Sequence, residues 1–537
     1  MTGMQKLKND LSTVKGYYKP PDIRPLYFRF PPKDSSDVTV NTSQRQTLFN
    51  IPTNNRYSGE LGLKFDVGAA TLTDSANANT DNITTYTQSG AIAAGTVKLG
   101  FRNSETGIYS ETDVLAFDST VGQLKAAMEA LESFVAGNEV AMTATFDATF
   151  AAGAAVTLTI TGSGASTPFT ADQFNVSFST NEDSVITIST AADGLHIESG
   201  WALIQRMRIT HHGTELMNLR ECAKYVSIRR MSEWSPDQML NEGQLEGFYQ
   251  TPHQKIRDRI AGRSYILDLS SVFDIFKHIL PNTMELSSGP IEIEIIWAPA
   301  SNCCTTDNTG ATLQYQLSDL ELHCALLDEQ GRQPRKVGSR LVYTETYLDQ
   351  DTVSANNQRS NIKITRSVLS ATRLFHVFSN QANLTDPQAQ SKNSLFIRSG
   401  MTDYRIRLNG KLWPNNRVEQ QSESFRRYKF NTMDYKKYSG TSKSFKNYRS
   451  DTTNSFYTCP KDGTIPGAFN IRCESFRIPQ LKHQDEFRGN GIKLQGSSDS
   501  VFESNKASDA NVLTQFMWIE HDSFLSIDEN GRIDKKD

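Results

Sequence analysis

The densest chemistry in this sequence lies between Ser422 and Ser450, where Arg426, Arg427, Lys429, Lys436, Lys437, Lys443, Lys446 and Arg449 are interleaved with seven aromatic residues, among them Tyr428, Tyr435, Tyr438 and Tyr448. Cations attract phosphate and flat rings stack on bases, so the mixture suits single-stranded nucleic acid. Tyr and Arg also anchor protein–protein contacts. Both readings stay open. Arg426, Arg427, Tyr428, Lys436, Lys437, Tyr438, Lys446 and Arg449 are the candidate intersubunit or polyanion contacts.

Other clusters do not add up to a reaction. His211 and His212 near Glu215 fall at an expected β turn, without the helical HExxH spacing of a zinc site. Asp528, Asn530 and Asp534 echo a calcium loop, but its glycine and closing glutamate are misplaced. The sequence holds no GxSxG elbow, phosphate-cradling glycine loop or dinucleotide fingerprint. Six cysteines (Cys222, Cys303, Cys304, Cys324, Cys459 and Cys473) are spaced too irregularly for a disulfide framework or a CxxC zinc pair. Adjacent Cys303 and Cys304 read as reduced structural thiols. The expectation is a protein that is not an enzyme and uses no cofactor or metal.

The elements that carry these residues are strands. At 537 residues the chain exceeds what one core serves, so several domains are expected. Met1–Asp10 lacks the apolar stretch of a signal peptide, and no eighteen apolar residues run together, which reads as a chain made and kept in the cytosol. Residues 1–47 read as an N-terminal arm, whose first 33 residues carry seven Lys or Arg against two acids. From about Leu48 the period is two, with Leu61, Leu63 and Phe65 on one face.

Residues 66–195 differ from the rest. Fifteen acids against three bases (Lys98, Arg102 and Lys125) give this block −12, and the chain total of −4 leaves +8 elsewhere. Ala, Thr, Ser and Gly dominate it. Val97, Leu99 and Phe101, and again Val156, Leu158 and Ile160, alternate as half-buried strands do. Between them, Thr120 and Gln123 make a capping box ahead of Val121, Leu124, Met128, Leu131 and Val135, with Gly137 as the stop. This spacing predicts a small β-rich domain with one helix, inserted into a host fold and acidic on its surface. Like charge on a protruding surface keeps particles apart, and basic surface suits an interior near polyanions.

The host repeats itself. Arg206-Met207-Arg208-Ile209, a turn at Gly213 and Leu216 return as Arg405-Ile406-Arg407-Leu408, the Asn409-Gly410 turn and Leu412-Trp413. Tyr265 to Leu269 is matched by Phe469 to Ile471, and Ile291 to Trp297 by Leu513 to His521. Three pairs in one order imply two homologous β domains. One apolar helix, from a cap at Ser270 or Ser271 through Ile279 to Pro281, is expected to seal the first.

The order from Trp201 to Leu219, Ser264 to Leu269, the helix to Leu280 and Pro290 to Ile295 resembles the first jelly roll of double jelly-roll major capsid proteins, most like those of polinton-like viruses and virophages. Tyr404 to Val418 and Phe524 to Ile533 resemble the hairpin and closing strand of their second half. The resemblance implies an all-β fold of two tandem jelly rolls: residues 48–300, interrupted by the insert, and 312–537, joined by a linker at 301–311. It also implies homotrimers whose six jelly rolls form pseudo-hexagonal capsomers in an icosahedral virion assembled inside the host cell. The implied partners are neighbouring capsomers, penton and minor capsid proteins, an internal membrane over double-stranded DNA, and a host receptor reached through the insert. Two other functions fit parts of the sequence: a secreted or surface carbohydrate-binding β-sandwich, and a nucleic-acid-binding module.

Overall fold

The computed structural model describes the chain apart from residues 1–24, 41–44, 54, 69–80, 89–94, 103–108, 133–142, 151–155, 162–173, 179–185, 193–195, 235, 249–262, 288, 306–313, 328–339, 386–391, 394–395, 398, 433–469, 477–490, 497–498 and 537. The first domain has eight main strands: β1 (Pro25–Phe30), β2 (Arg45–Ile51), β3 (Tyr57–Val67), β4 (Ile204–His211), β5 (Thr214–Arg220), β6 (Arg263–Asp268), β7 (Ile291–Trp297) and β8 (Tyr315–Leu327). They form two antiparallel sheets, in the orders β1-β8-β3-β6 and β2-β7-β4-β5. The second domain follows with β9 (Arg340–Val353), β10 (Arg359–Lys363), β11 (Val368–Asn380), β12 (Met401–Leu408), β13 (Lys411–Val418), β14 (Arg472–Ser475), β15 (Val501–Lys506) and β16 (Leu513–Ile527). Their orders are β9-β16-β11-β14 and β10-β15-β12-β13. Adding eight to each number of the first domain reproduces the second. Eight strands in this interleaved order are a jelly roll, here present twice.

The local chemistry repeats as well. Alternation puts Leu61, Leu63 and Phe65 of β3 inward, as it does Ile291, Ile293, Ile295 and Trp297 of β7. The β4–β5 hairpin turns at His212 (φ 47°) and Gly213 (φ 77°), and its counterpart β12–β13 turns at Asn409 (φ 49°) and Gly410 (φ 79°). Two successive left-handed residues match the twist of paired strands, and glycine takes that conformation without strain.

Strand pairing moves three expected boundaries. Tyr315–Leu327, assigned in sequence to the second jelly roll, pairs with β1 and β3, so it closes the first sandwich. Within the expected linker, Cys304–Thr305 pairs back to His196–Ile197, again in the first domain. The expected arm likewise contains β1 and the start of β2. The third repeat pair was also misaligned: Ile291–Trp297 is a seventh strand, whose counterpart is Val501–Lys506, and Leu513–Ile527 corresponds to Tyr315–Leu327.

The insert occupies the connection between β3 and β4 and has its own core of Val97, Leu99, Phe101, Leu124, Met128, Leu131, Ala144, Phe146, Phe150, Val156 and Leu158. Helix α1 (Val121–Glu129) begins with the expected capping box, Thr120 and Gln123 satisfying each other's backbone amides. It stops at Ala130; Val135 and Gly137 lie outside the described residues. The helix expected over 270–280 is broken. Asp268 caps the turn Leu269–Val272, extended backbone at Phe273 interrupts it, and Ile275–Ile279 resumes before a 3-10 turn that includes Pro281. Unanticipated helices include α2 (Cys222–Glu233) and α3 (Pro236–Glu246), both between β5 and β6.

Candidate assembly surfaces and the seam between the two sandwiches

The β9-β16-β11-β14 sheet is covered on both faces. One face packs on the other sheet of its own sandwich, through Leu374 and Phe378 of β11 and Leu513, Met517 and Ile519 of β16. The opposite face carries Phe375 and Val377 of β11 and Phe516 and Trp518 of β16, which join the first domain's core in one continuous cluster. Helix α2 supplies much of that cover.

At the centre of this seam, the ring of Tyr225 in α2 lies 6.2 Å from that of Trp518 and 6.5 Å from that of Phe375. Its hydroxyl donates to Glu520 Oε1 at 2.6 Å and accepts from Thr346 Oγ1 at 3.0 Å. Arg373 holds Glu520 with two bonds, Nε to Oε2 at 2.6 Å and Nη2 to Oε1 at 3.0 Å, and reaches Glu233 of α2 at 2.8 Å. Arg229 lies 2.7 Å from Glu233 and 3.4 Å from Glu520. Two arginines thus face two carboxylates across the joint. Burial alone would push Glu520 up, but Arg373 and Arg229, with the bonds from Arg373 and Tyr225, hold it down at about 2. Glu233 is lowered in the same way, Arg229 and Arg373 outweighing its burial.

Further polar links fasten the two domains. Tyr343 donates to the carbonyl of Leu216 at 2.6 Å, the amide of Thr344 to Asp274 at 3.1 Å, and the amide of Asn393 to Glu198 at 2.9 Å. Satisfied bonds of this kind offset the cost of removing polar groups from water and fix one register between the sandwiches.

The basic-aromatic segment is more structural than its composition implied. Its first part forms helix α4 (Gln421–Thr432) instead of a loop. Tyr428 is fully buried and its hydroxyl lies 2.9 Å from Ser232 of α2, so its contact is within the chain; burial corrects its assignment as an intersubunit contact. Arg427 is engaged by Glu423 at 3.1 Å and Glu474 at 3.3 Å. Arg426 points outward and is exposed. Lys436, Lys437, Tyr438, Lys446 and Arg449 lie outside the described residues.

Among the described residues no three His, Cys, Asp or Glu side chains converge as a metal site. His211 is buried at its hairpin, its ring edge-on to His212 at 4.6 Å, and burial followed by the neighbouring His212 lowers its pKa. Asp528 accepts the amides of Asn530 and Arg532, each at 2.8 Å, which makes the calcium-like loop a side-chain-closed turn. Cys303 and Cys304 are buried free thiols 3.6 Å apart. Sequence reasoning missed the seam residues because Tyr225, Arg229, Glu233, Arg373 and Glu520 are far apart in the chain. One signal was present: Phe516 to Ile519 is apolar at four consecutive positions, as a strand buried on both faces tends to be.

No protein-family model matches the sequence, and no curated protein does. Among solved structures, the chain is similar to one from the PBCV-1 virus capsid, with 9% identity and a TM-score of 0.50 over 97% of this chain and 98% of that one. It is also similar to the mavirus major capsid protein (8% identity, TM-score 0.43, 97% and 94% covered) and to a chain of the Sputnik virophage (9% identity, TM-score 0.45, 96% and 88% covered). At such identity the likeness is one of fold, and together with the strand orders it states what the fold is: this chain is a double jelly roll, the architecture it shares over nearly its whole length with the PBCV-1 capsid chain.

Proposed function

We propose that this chain is the major capsid protein of an icosahedral DNA virus, a structural subunit without catalysis that forms homotrimers and, through them, pseudo-hexagonal capsomers. The observation that carries the reading is the pair of like sandwiches fastened side by side, matched end to end by a chain of a virus capsid. Six such sandwiches from three copies would make a wall unit in which neighbours cover each other's sheets. The acidic insert would project from the outer surface, where it could meet a host receptor. Penton and minor capsid proteins, and a membrane beneath the shell, are the further partners of this reading.

Sedimentation analysis and electron microscopy of the purified chain test it. The expected result is a trimer of roughly hexagonal outline. A chain that stays monomeric at every concentration would overturn the proposal.

A further inference from the structure

The few bases of the acidic insert are gathered on one face. Of the three, Lys125 sits on α1, 3.8 Å from Glu129, and the other two, Lys98 and Arg102, share the strand Thr96–Arg102. That strand pairs with Phe174–Phe178 on one side and Tyr109–Glu111 on the other. Val97, Leu99 and Phe101 enter the insert's core, so Lys98, Gly100 and Arg102 stand on the opposite, outer face. Gly100 is flanked in the ladder by Asn175 and Glu111, and Arg102 by Tyr109; all three neighbours are exposed. A block of net charge −12 thus carries both of its strand cations around one aromatic ring.

That ring is held in place by polar contacts and not by burial. Tyr109 is 40% exposed, and the Arg102 guanidinium lies 5.5 Å from its centre. Its hydroxyl donates to Glu111 Oε1 at 2.6 Å and accepts from Asn175 Nδ2 at 3.2 Å. The ring passes over Gly100, where a Cβ would collide with it. Gly100 has no left-handed backbone, so its missing side chain serves the ring and not a turn.

An exposed, pre-positioned tyrosine offers contact area at little entropic cost. The weakly positive C–H edges of a sugar ring suit the negative face of an aromatic one. Asn175 can both donate and accept, and Glu111 accepts, which suits neighbouring hydroxyls. Arg102 and Lys98 supply the charge for an anionic group, and the arginine's planar fork matches a carboxylate. A long polyanion would be repelled by the rest of the insert, whereas one charge on a small ring would not.

We propose that the Lys98–Arg102 face of the insert binds a saccharide carrying a carboxylate, with Tyr109 as the stacking platform, Arg102 and Lys98 facing the carboxylate, and Asn175 and Glu111 meeting the hydroxyls. The receptor role of this site rests on the capsid reading, and the site names the chemistry of the receptor. A shallow platform of this kind binds weakly by itself. Many copies on one shell would add up to firm attachment.

Ligand-observed NMR titration of the full chain tests the site with three probes: a trisaccharide ending in sialic acid, a disaccharide containing glucuronic acid, and neutral lactose. At least one acidic probe is expected to bind, with lactose at least about tenfold weaker. Arg102→Met and Tyr109→Ala should each weaken that binding by at least about tenfold. Gly100→Ala displaces the ring from a position outside the insert's core and should weaken it as well, with thermal unfolding as the check that the variant folds. Failure of both acidic probes, equal binding of lactose, or wild-type affinity in Arg102→Met and Gly100→Ala would overturn the site, and trimers formed all the same would leave the capsid reading intact. A chain that binds the sugar yet never associates would overturn the capsid reading and keep the site.

Discussion

Glu520→Gln removes one negative charge from the seam while keeping the shape of the side chain. In the folded chain Glu520 titrates at about 2 against an ordinary value of 4.5, because two arginines and a tyrosine hydroxyl hold its ionised form. That gap corresponds to about 3 kcal/mol of stability. Since the folded value is the lower one, the contribution is complete above about pH 4.5 and is lost as pH falls toward 2. Glutamine never ionises, so the variant should be less stable by about 3 kcal/mol at pH 7, with Arg229 and Arg373 left short of a buried counter-charge. Urea unfolding followed by tryptophan fluorescence measures this at a series of pH values, because Trp518 packs beside the pair. The gap between wild type and variant should shrink steadily below pH 4.5. Equal stability at pH 7, or a gap that persists unchanged at pH 2.5, would refute the account of the seam.

Three further outcomes are expected. Leu124→Ala, at a fully buried position in the insert's own core, should destabilise the insert by about 2–5 kcal/mol and leave the sandwich transition in place, as two resolved calorimetric events would show. Replacing residues 70–193 by a short linker should preserve the circular dichroism and self-association of the remaining chain; failure to fold would make the insert part of the body. Tyr428→Phe removes the hydroxyl that meets Ser232 and should cost about 1 kcal/mol, read from the urea midpoint, with self-association unchanged.

Local patterns made much of this fold readable. The β4–β5 and β12–β13 hairpins, the capping box of α1 and the alternation of β3 all follow from contacts between near neighbours. Pairing over long separations was not readable in the same way. Tyr315–Leu327 alternates as any half-buried strand does, and nothing local says whether its partner is β3, some 260 positions earlier, or a strand still to come. Matching Ile291–Trp297 to Leu513–His521 compares two strands by their apolar residues, and these report burial and not order within a sheet. Helix α2 escaped notice for the opposite reason. It is buried on nearly all sides, so its sequence lacks the one-sided stripe that marks a surface helix. Arg426 and Tyr428 look equivalent in composition, yet two helical positions turn one outward and the other into the joint.

The seam also sets a timetable for synthesis. Tyr225 and Glu520 are 295 positions apart, which at cellular rates of translation is about 15–60 s. For that interval Arg229 and Glu233 of α2 have each other, and Lys224 and Arg230 are held by Glu221 and Glu246 of the same domain. The first sandwich therefore emerges with one flank still wet and polar enough to wait. The second arrives with β16, whose apolar outer face is the more hazardous of the two, and finds its cover already made.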